Sequence, residues 1–231
     1  MIPLMVIRPE PGCGATVASA GMLGMAAAGF PLFTLTPRDW TPPSLDEVDG
    51  LLIGSAAAIR HGGAALETMR HLPVHAIGET TAQVARVAGF RVASTGTGGL
   101  QQLLETITPA SRLLRLAGEA RVALTPPPGV TMVERIVYAS LPLPFPDGLA
   151  VQLESSAIVL LHSAVAASHF AAELERQQIA RTNIHLAALA PPIAEAAGDG
   201  WASVRSAAMP NDAALLALAA QLCQTPPTKR G

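Results

Sequence analysis

Short apolar runs of strand character, each closed by a turn and followed by an Ala- and Leu-rich stretch with helical spacing, recur along this chain. That alternation is the pattern of βα units on a parallel sheet, and it restricts the fold more than any other feature. Leu4-Met5-Val6-Ile7 leads through Arg8-Pro9-Glu10-Pro11-Gly12 into a helix predicted over 15–28, with Gly29 as its stop, and 30–35 reads as the next strand. Gly50-Leu51-Leu52-Ile53 ends at Gly54-Ser55 and opens a helix; Val74-His75-Ala76-Ile77 ends at Gly78-Glu79-Thr80-Thr81 and opens a helix over 82–88. Phe90-Arg91-Val92-Ala93 reads as a further strand, the turn 95–99 starts a helix over 100–107, and strands follow near 113–116 and 133–139. Between those last two lies Leu124-Thr125-Pro126-Pro127-Pro128-Gly129, too short and proline-rich for a crossover helix.

Two proline-dense segments divide the chain. Thr36-Pro37-Arg38-Asp39-Trp40-Thr41-Pro42-Pro43 and Leu141-Pro142-Leu143-Pro144-Phe145-Pro146 can continue neither helix nor central strand, so they read as connections between lobes. The last third repeats the middle's rhythm: Leu-Leu-Ile-Gly-Ser-Ala-Ala-Ala from 51 onward matches Val-Leu-Leu-His-Ser-Ala-Val-Ala from 159 onward, an internal duplication. With strand-like runs only at 157–161, 185–189 and 201–207, that third needs partners, and the N-terminal strands supply them. The expected organisation is a discontinuous lobe, 1–35 with 145–231, and an inserted lobe, 36–144, with two chain crossings acting as a hinge.

Composition narrows the function classes. Of 231 residues half are apolar and 14% charged, enough for a substantial core and too apolar for a disordered chain. Net charge is −2 and Lys229 is the only lysine, so no basic stripe exists for nucleic acid or an anionic membrane, and the tail 225–231 that carries it reads as unstructured. Cys13 and Cys223 lie far apart without metal-type spacing. No secretion leader is visible, and no apolar run approaches the ~18 residues of a membrane span. A cytoplasmic monomer without metal or cofactor is the expectation.

In open parallel sheets, ligands bind beyond the carboxyl ends of strands, where helices present free N–H groups. Here those ends carry Arg8, Gly54-Ser55, Gly78, Glu79, Thr80, Thr81, the glycines of 96–99, and Ser163. A cleft built from them would be rich in hydroxyls and amide donors, with Arg8, Arg60 or Arg115 adding charge, and would suit a polyanion held by many distributed contacts. The plainer reading of Ser55, Thr80, Thr81 and Ser163 is helix capping. Gly12-Cys13-Gly14 lacks the third glycine of a dinucleotide fingerprint, and the 96–99 turn lacks the lysine of a nucleoside-triphosphate loop. Pro73 between His71 and His75 argues against a metal site. His162 and His169 read as surface or capping residues rather than an acid/base pair. Tyr138, the only tyrosine, ends the strand that enters the hinge, where it can offer a phenol proton or simply pack.

Val-Ile-Arg-Pro near the start, Asp49-Gly50-Leu51-Leu52-Ile53-Gly54-Ser55, Ala76-Ile77-Gly78-Glu79-Thr80-Thr81-Ala82 followed by Ala88-Gly89-Phe90, Arg135-Ile136-Val137-Tyr138, and Leu160-Leu161-His162-Ser163 stand in an order that resembles the uroporphyrinogen-III synthase family along nearly the whole chain. The resemblance implies an α/β fold of two flavodoxin-like parallel-sheet lobes, joined by a two-stranded hinge, with the catalytic cleft between them. It implies a cofactor-free, metal-free reaction on a small-molecule substrate: hydroxymethylbilane, a linear tetrapyrrole polycarboxylate, loses its terminal hydroxyl and closes to uroporphyrinogen III with ring D inverted through a spiro intermediate. By position, Tyr138 matches the tyrosine proposed to help the hydroxyl leave, and Ser55, Thr81 and Ser163 match hydroxyl residues lining the cleft; with Arg8, Gly78 and Thr80 from the strand-end reading they form the expected substrate-binding set. Two departures stand out: Ala190-Pro191-Pro192-Ile193 replaces the hydroxyls expected in the second lobe, and the triple proline replaces a helix before the tyrosine strand. The rival readings are a two-lobed anion-binding module without turnover, which the missing hydroxyls suit, and a nucleotide-dependent α/β enzyme, which the incomplete glycine signatures disfavour.

Overall fold

The protein is described from a computed structural model covering residues 2–224. The tail 225–231, with its lysine, lies outside the described residues. In chain order the elements are β1 (Leu4–Val6), α1 (Gly12–Met22), β2 (Ala27–Gly29), β3 (Phe33–Pro37), β4 (Gly50–Ile53), α2 (Ala56–His61), α3 (Gly63–Glu67) and β5 (Val74–Ile77). Next come α4 (Glu79–Val87), β6 (Val92–Gly96), α5 (Leu100–Glu105), β7 (Arg112–Gly118), β8 (Thr131–Pro142) and α6 (Asp147–Leu153). The chain ends through β9 (Ala157–Leu161), α7 (Ala164–Arg176), β10 (Ile184–Ala188), α8 (Pro191–Ala196), β11 (Ser203–Ser206) and α9 (Asp212–Gln224).

Two compact units result: a split unit, Met1–Thr34 with Pro142–Gly231, and an inserted unit, Leu35–Leu141. In the split unit the strands run β2-β1-β9-β10-β11, every adjacent pair parallel. Numbered within the unit this is the order 2-1-3-4-5 of flavodoxin-like sheets. Its three central strands, β1, β9 and β10, are buried on both faces, as a helix-covered parallel sheet requires, while β2 and β11 at the edges are partly exposed. Leu4, Val6, Ile158 and Leu160 pack on one side with α9 residues Leu215 and Ala219, while Met5, Val159 and Leu161 pack on the other with Phe170 and Leu174 of α7.

The inserted unit has the order β3-β8-β7-β4-β5-β6. From β8 to β6 every pair is parallel, and read as β8-β7-β4-β5-β6 this is the same 2-1-3-4-5 arrangement, entered at its third strand. The duplication seen in the sequence therefore aligns β4 with β9, β5 with β10, and β6 with β11. It also aligns β7 and β8 with β1 and β2. The connection from β7 to β8 holds the triple proline and no helix, and its length of about a dozen residues is the minimum for a parallel return.

Three sequence expectations fail at the N-terminus. The helix placed over 15–28 starts at Gly12 and ends at Met22, because Gly24 takes the left-handed conformation (φ +73°) and the Met25 N–H turns back to the Ala20 carbonyl. Gly29, expected as a helix stop, instead sits in β2, where a Cβ would lie 2.7 Å from Cys13 Sγ, so glycine allows α1 to approach the strand. The strand placed at 30–35 forms at Phe33–Pro37 and belongs to the other sheet, at whose edge Pro37 costs no ladder hydrogen bond.

Candidate functional site

A 2-1-3-4-5 sheet has one position where successive crossovers leave in opposite directions, and a crevice opens there beyond the strand ends. In the inserted unit that position lies between β4 and β7. A cavity of about 530 Å³ occupies it, lined by Gly54 and Ser55 after β4, Arg115 and Leu116 of β7, Arg121 in the following loop, Gly99 before α5, and Tyr138 of β8. Ser55 has extended backbone angles and its Oγ accepts from the Ala57 N–H at 3.2 Å, so it caps α2 while its own O–H stays free to donate.

Tyr138 owes its position to a β-bulge and a glycine. The β7–β8 register shifts between Ala117 and Gly118, so that Gly118 pairs with Tyr138, and the Glu119 N–H donates to the Tyr138 carbonyl at 2.9 Å. The ring lies against Gly118, where any side chain would overlap it, packs on the rim of the inserted unit's core, and has the His61 imidazole at 6.0 Å between centroids. The hydroxyl makes no hydrogen bond to another described residue.

Charge in this cavity is organised around Glu134. Arg115, only 5% exposed, forms an ion pair with Glu134, Nη1 lying 2.8 Å from Oε2, and Arg121 donates from Nε to the other carboxylate oxygen. Burial works against the Arg115 charge and Glu134 opposes that effect. Two guanidiniums around one carboxylate leave the group net positive. Arg115 Nε is buried without a partner, so the cluster is short of one acceptor.

Other residues singled out in the sequence fall elsewhere. Gly78 has φ +74° at the start of α4, with Thr80 exposed and Thr81 buried in the first turn. They follow β5, one strand away from the crossover reversal, and do not line the cavity. Arg60 is exposed in α2 and does not line it either.

Arg8 and Ser163 follow β1 and β9, the adjacent strands at the matching position of the split unit. Ser163 repeats Ser55: extended backbone, with Oγ accepting from the Ala166 N–H at 3.2 Å to cap α7. Arg8 Nη1 lies 2.8 and 3.0 Å from the two carboxylate oxygens of Asp212, 204 residues away, and Thr16 Oγ1 donates to the same carboxylate at 2.9 Å. His162 is not the surface residue expected. Its side chain is 7% exposed, Nε2 is 3.4 Å from Asp212 Oδ1 without hydrogen-bond alignment, and burial lowers its pKa. The His162 ring, then the Arg8 guanidinium, hold the Asp212 carboxyl down at about 2.

Sequence reasoning missed Asp212, Thr16, Gly118, Arg121 and Glu134. Asn211-Asp212 carries a helix-start signature, since Asn211 Oδ1 accepts from the Ala214 N–H, but nothing local points from Asp212 to Arg8. Cys13 is no nucleophile: burial pushes its thiol up to about 11. Among the described residues no group of His, Cys, Asp and Glu is arranged to hold a metal ion, and no helix is long and apolar enough to cross a membrane.

Compared with known proteins, residues 15–217 match the sequence profile of the family described as uroporphyrinogen-III synthase HemD. A solved uroporphyrinogen-III synthetase from Helicobacter pylori 26695 aligns with TM-score 0.64 and 16% identity, covering 96% of this chain and all of that one. A mutant uroporphyrinogen III synthase from the extremely thermophilic bacterium Thermus thermophilus aligns with TM-score 0.52 and 16% identity, covering 97% and 100%. At such identity these likenesses speak to the fold. A search of curated proteins finds no significant match.

Proposed function

The chain belongs to the uroporphyrinogen-III synthase family, and from that premise we propose that the cavity between β4 and β7 is where its reaction takes place. The protein cyclises hydroxymethylbilane to uroporphyrinogen III, with loss of water and inversion of ring D, in tetrapyrrole biosynthesis. The observation that carries the assignment of the cavity is the company Tyr138 keeps: an uncommitted phenol, a serine with a free O–H and a net positive arginine pair line one pocket at the crossover reversal.

The roles follow from chemistry. The Tyr138 O–H donates to the terminal hydroxyl of the substrate, which departs as water and leaves an azafulvene; the phenolate then accepts the proton released when the macrocycle regains aromatic pyrroles. Arg121, exposed at its tip, and Ser55 meet substrate carboxylates, while Arg115 and Glu134 hold Arg121 in place. In the split unit Arg8 and Ser163 contact further carboxylates; the Gly78 N–H is given to the Gly96 carbonyl at 2.9 Å, so Gly78 serves as the turn that opens α4, where Thr80 and Thr81 offer main-chain and hydroxyl donors. Loss of water and carbon–carbon bond formation leave the oxidation level unchanged, so no redox partner enters. The protein acts as a cytoplasmic monomer, and its charge of −2 with a single lysine gives nucleic acid no surface to bind.

Tyr138→Phe tests the reading. Turnover is expected to fall by about a hundredfold, the scale of one positioned general acid, with melting temperature unchanged. Full turnover in the variant would remove Tyr138 from the mechanism.

A further inference from the structure

We infer that Asp212 is a positioning residue of this reaction: with Thr16 it fixes one nitrogen of Arg8, so that the other edge of the guanidinium is presented as a docking point for a substrate carboxylate. The inference rests on the proposed role of Arg8.

The argument begins with how the five N–H groups of Arg8 are used. Only Nη1 is committed, to both oxygens of Asp212 and, at 3.4 Å, toward Thr16 Oγ1. Nε and Nη2, the pair that forms two parallel bonds to a carboxylate, have no partner among the described residues. An arginine present only to neutralise Asp212 would turn that paired edge to it. Here the side chain is 31% exposed and its better edge is unspent.

The surroundings preserve this arrangement. Gly12, the first residue of α1, leaves room for the guanidinium: a Cβ there would lie 2.6 Å from Nε and 3.0 Å from Nη2. Three groups converge on the Asp212 carboxylate, since Thr16 Oγ1 donates to it and the buried His162 ring stands 3.4 Å away. Glu10, in the loop before α1, accepts from the Gly14 N–H at 2.9 Å. The site lies between β1 and β9, where the crossovers of this sheet diverge. It corresponds to the β4–β7 cavity of the inserted unit, where arginine is likewise anchored by a carboxylate.

The test uses the full chain with hydroxymethylbilane as substrate, comparing wild type with Asp212→Asn, Asp212→Glu, Arg8→Ala, and Arg8→Ala combined with Asp212→Asn. Asp212→Asn should raise KM about tenfold, the worth of one charge-assisted contact, while kcat stays within about twofold and Asp212→Glu recovers part of the loss. In the Arg8→Ala background, Asp212→Asn should add nothing further, because it acts through Arg8. Additive effects of the two substitutions, or an unchanged KM in Asp212→Asn, would overturn the inference. An Arg8→Ala enzyme of normal KM would overturn it together with the Arg8 role, while type III product from wild type keeps the family activity standing. A second measurement needs no turnover: because Asp212 holds Nη1, rotation about the Arg8 Cζ–Nη1 bond should be slow enough to resolve the Nη1 resonances in wild type and fast enough to average them in Asp212→Asn, and averaged resonances in both refute the positioning role.

Discussion

Gly118→Ala isolates the placement of Tyr138. Gly118 has no need of left-handed backbone, and the atoms nearest to a methyl group there all belong to the Tyr138 side chain. A Cβ at position 118 would stand 2.7 Å from Tyr138 Cζ, 2.8 Å from Cε2 and 2.9 Å from Oη. Carbon atoms pack comfortably near 3.5 Å, so the far end of the ring must retreat by about 0.8 Å. Because that end belongs to a half-buried side chain, the fold should lose only about 1 kcal/mol, the low end of overpacking costs. That is a fall of about 2–4 °C in melting temperature for a chain of this size. Catalysis is less forgiving, since a displacement near 1 Å at a reacting group can cost about a hundredfold. Single-turnover closure of hydroxymethylbilane, quenched and resolved by chromatography, would show the rate falling by that order in Gly118→Ala. In a Tyr138→Phe background the same substitution should change the rate by no more than about twofold. A Gly118→Ala enzyme that closes its substrate at the wild-type rate, while Tyr138→Phe does not, would refute the link between the glycine, the ring position and the chemistry.

Acid should destabilise the protein in two stages. Burial is the first cause lowering His61, His75, His162 and His185. The unfolded chain therefore binds more protons, and urea midpoints should fall as pH drops below about 6.5; a flat profile from pH 7 to 5 would contradict this. Asp212, held at about 2, should contribute a second loss as pH falls from about 4 to 2, roughly 1 kcal/mol once discounted for its 42% exposure, and Asp212→Asn should lack it. Ala190 precedes α8 with the extended angles of Ser55 and Ser163 but no capping oxygen. Ala190→Ser should stabilise the protein by about 0.5–1 kcal/mol in denaturant titrations, and no gain would mean that the cap geometry does not form.

Much of this fold is legible in the sequence because parallel strands buried on both faces read as continuous apolar runs: Leu51-Leu52-Ile53 and Ile158-Val159-Leu160-Leu161 stand out at once. Ala27-Ala28-Gly29 does not, since small residues carry no strand preference, and β2 exists because it pairs with β1 and lets α1 pack closely. Ser55, Arg8 and Ser163 are visible as chemistry after strand ends, and Tyr138 as the only tyrosine, although it does not end its strand as expected: β8 runs on to Pro142. Their grouping is not, because it depends on where crossovers reverse, and in the inserted unit that point joins β4 to β7, more than 60 residues apart in sequence. Arg8 and Asp212 lie farther apart still, and an ion pair between two such distant residues leaves no local pattern. The same holds for Gly118, whose importance comes from a ring on the neighbouring strand.

The identity of the ring-closed product tests the central claim most directly. Hydroxymethylbilane alone closes to the symmetric type I macrocycle, so the purified protein should divert it to uroporphyrinogen III, seen as a type III peak after oxidation and chromatography. Type I product formed at the rate of the buffer control would contradict the account.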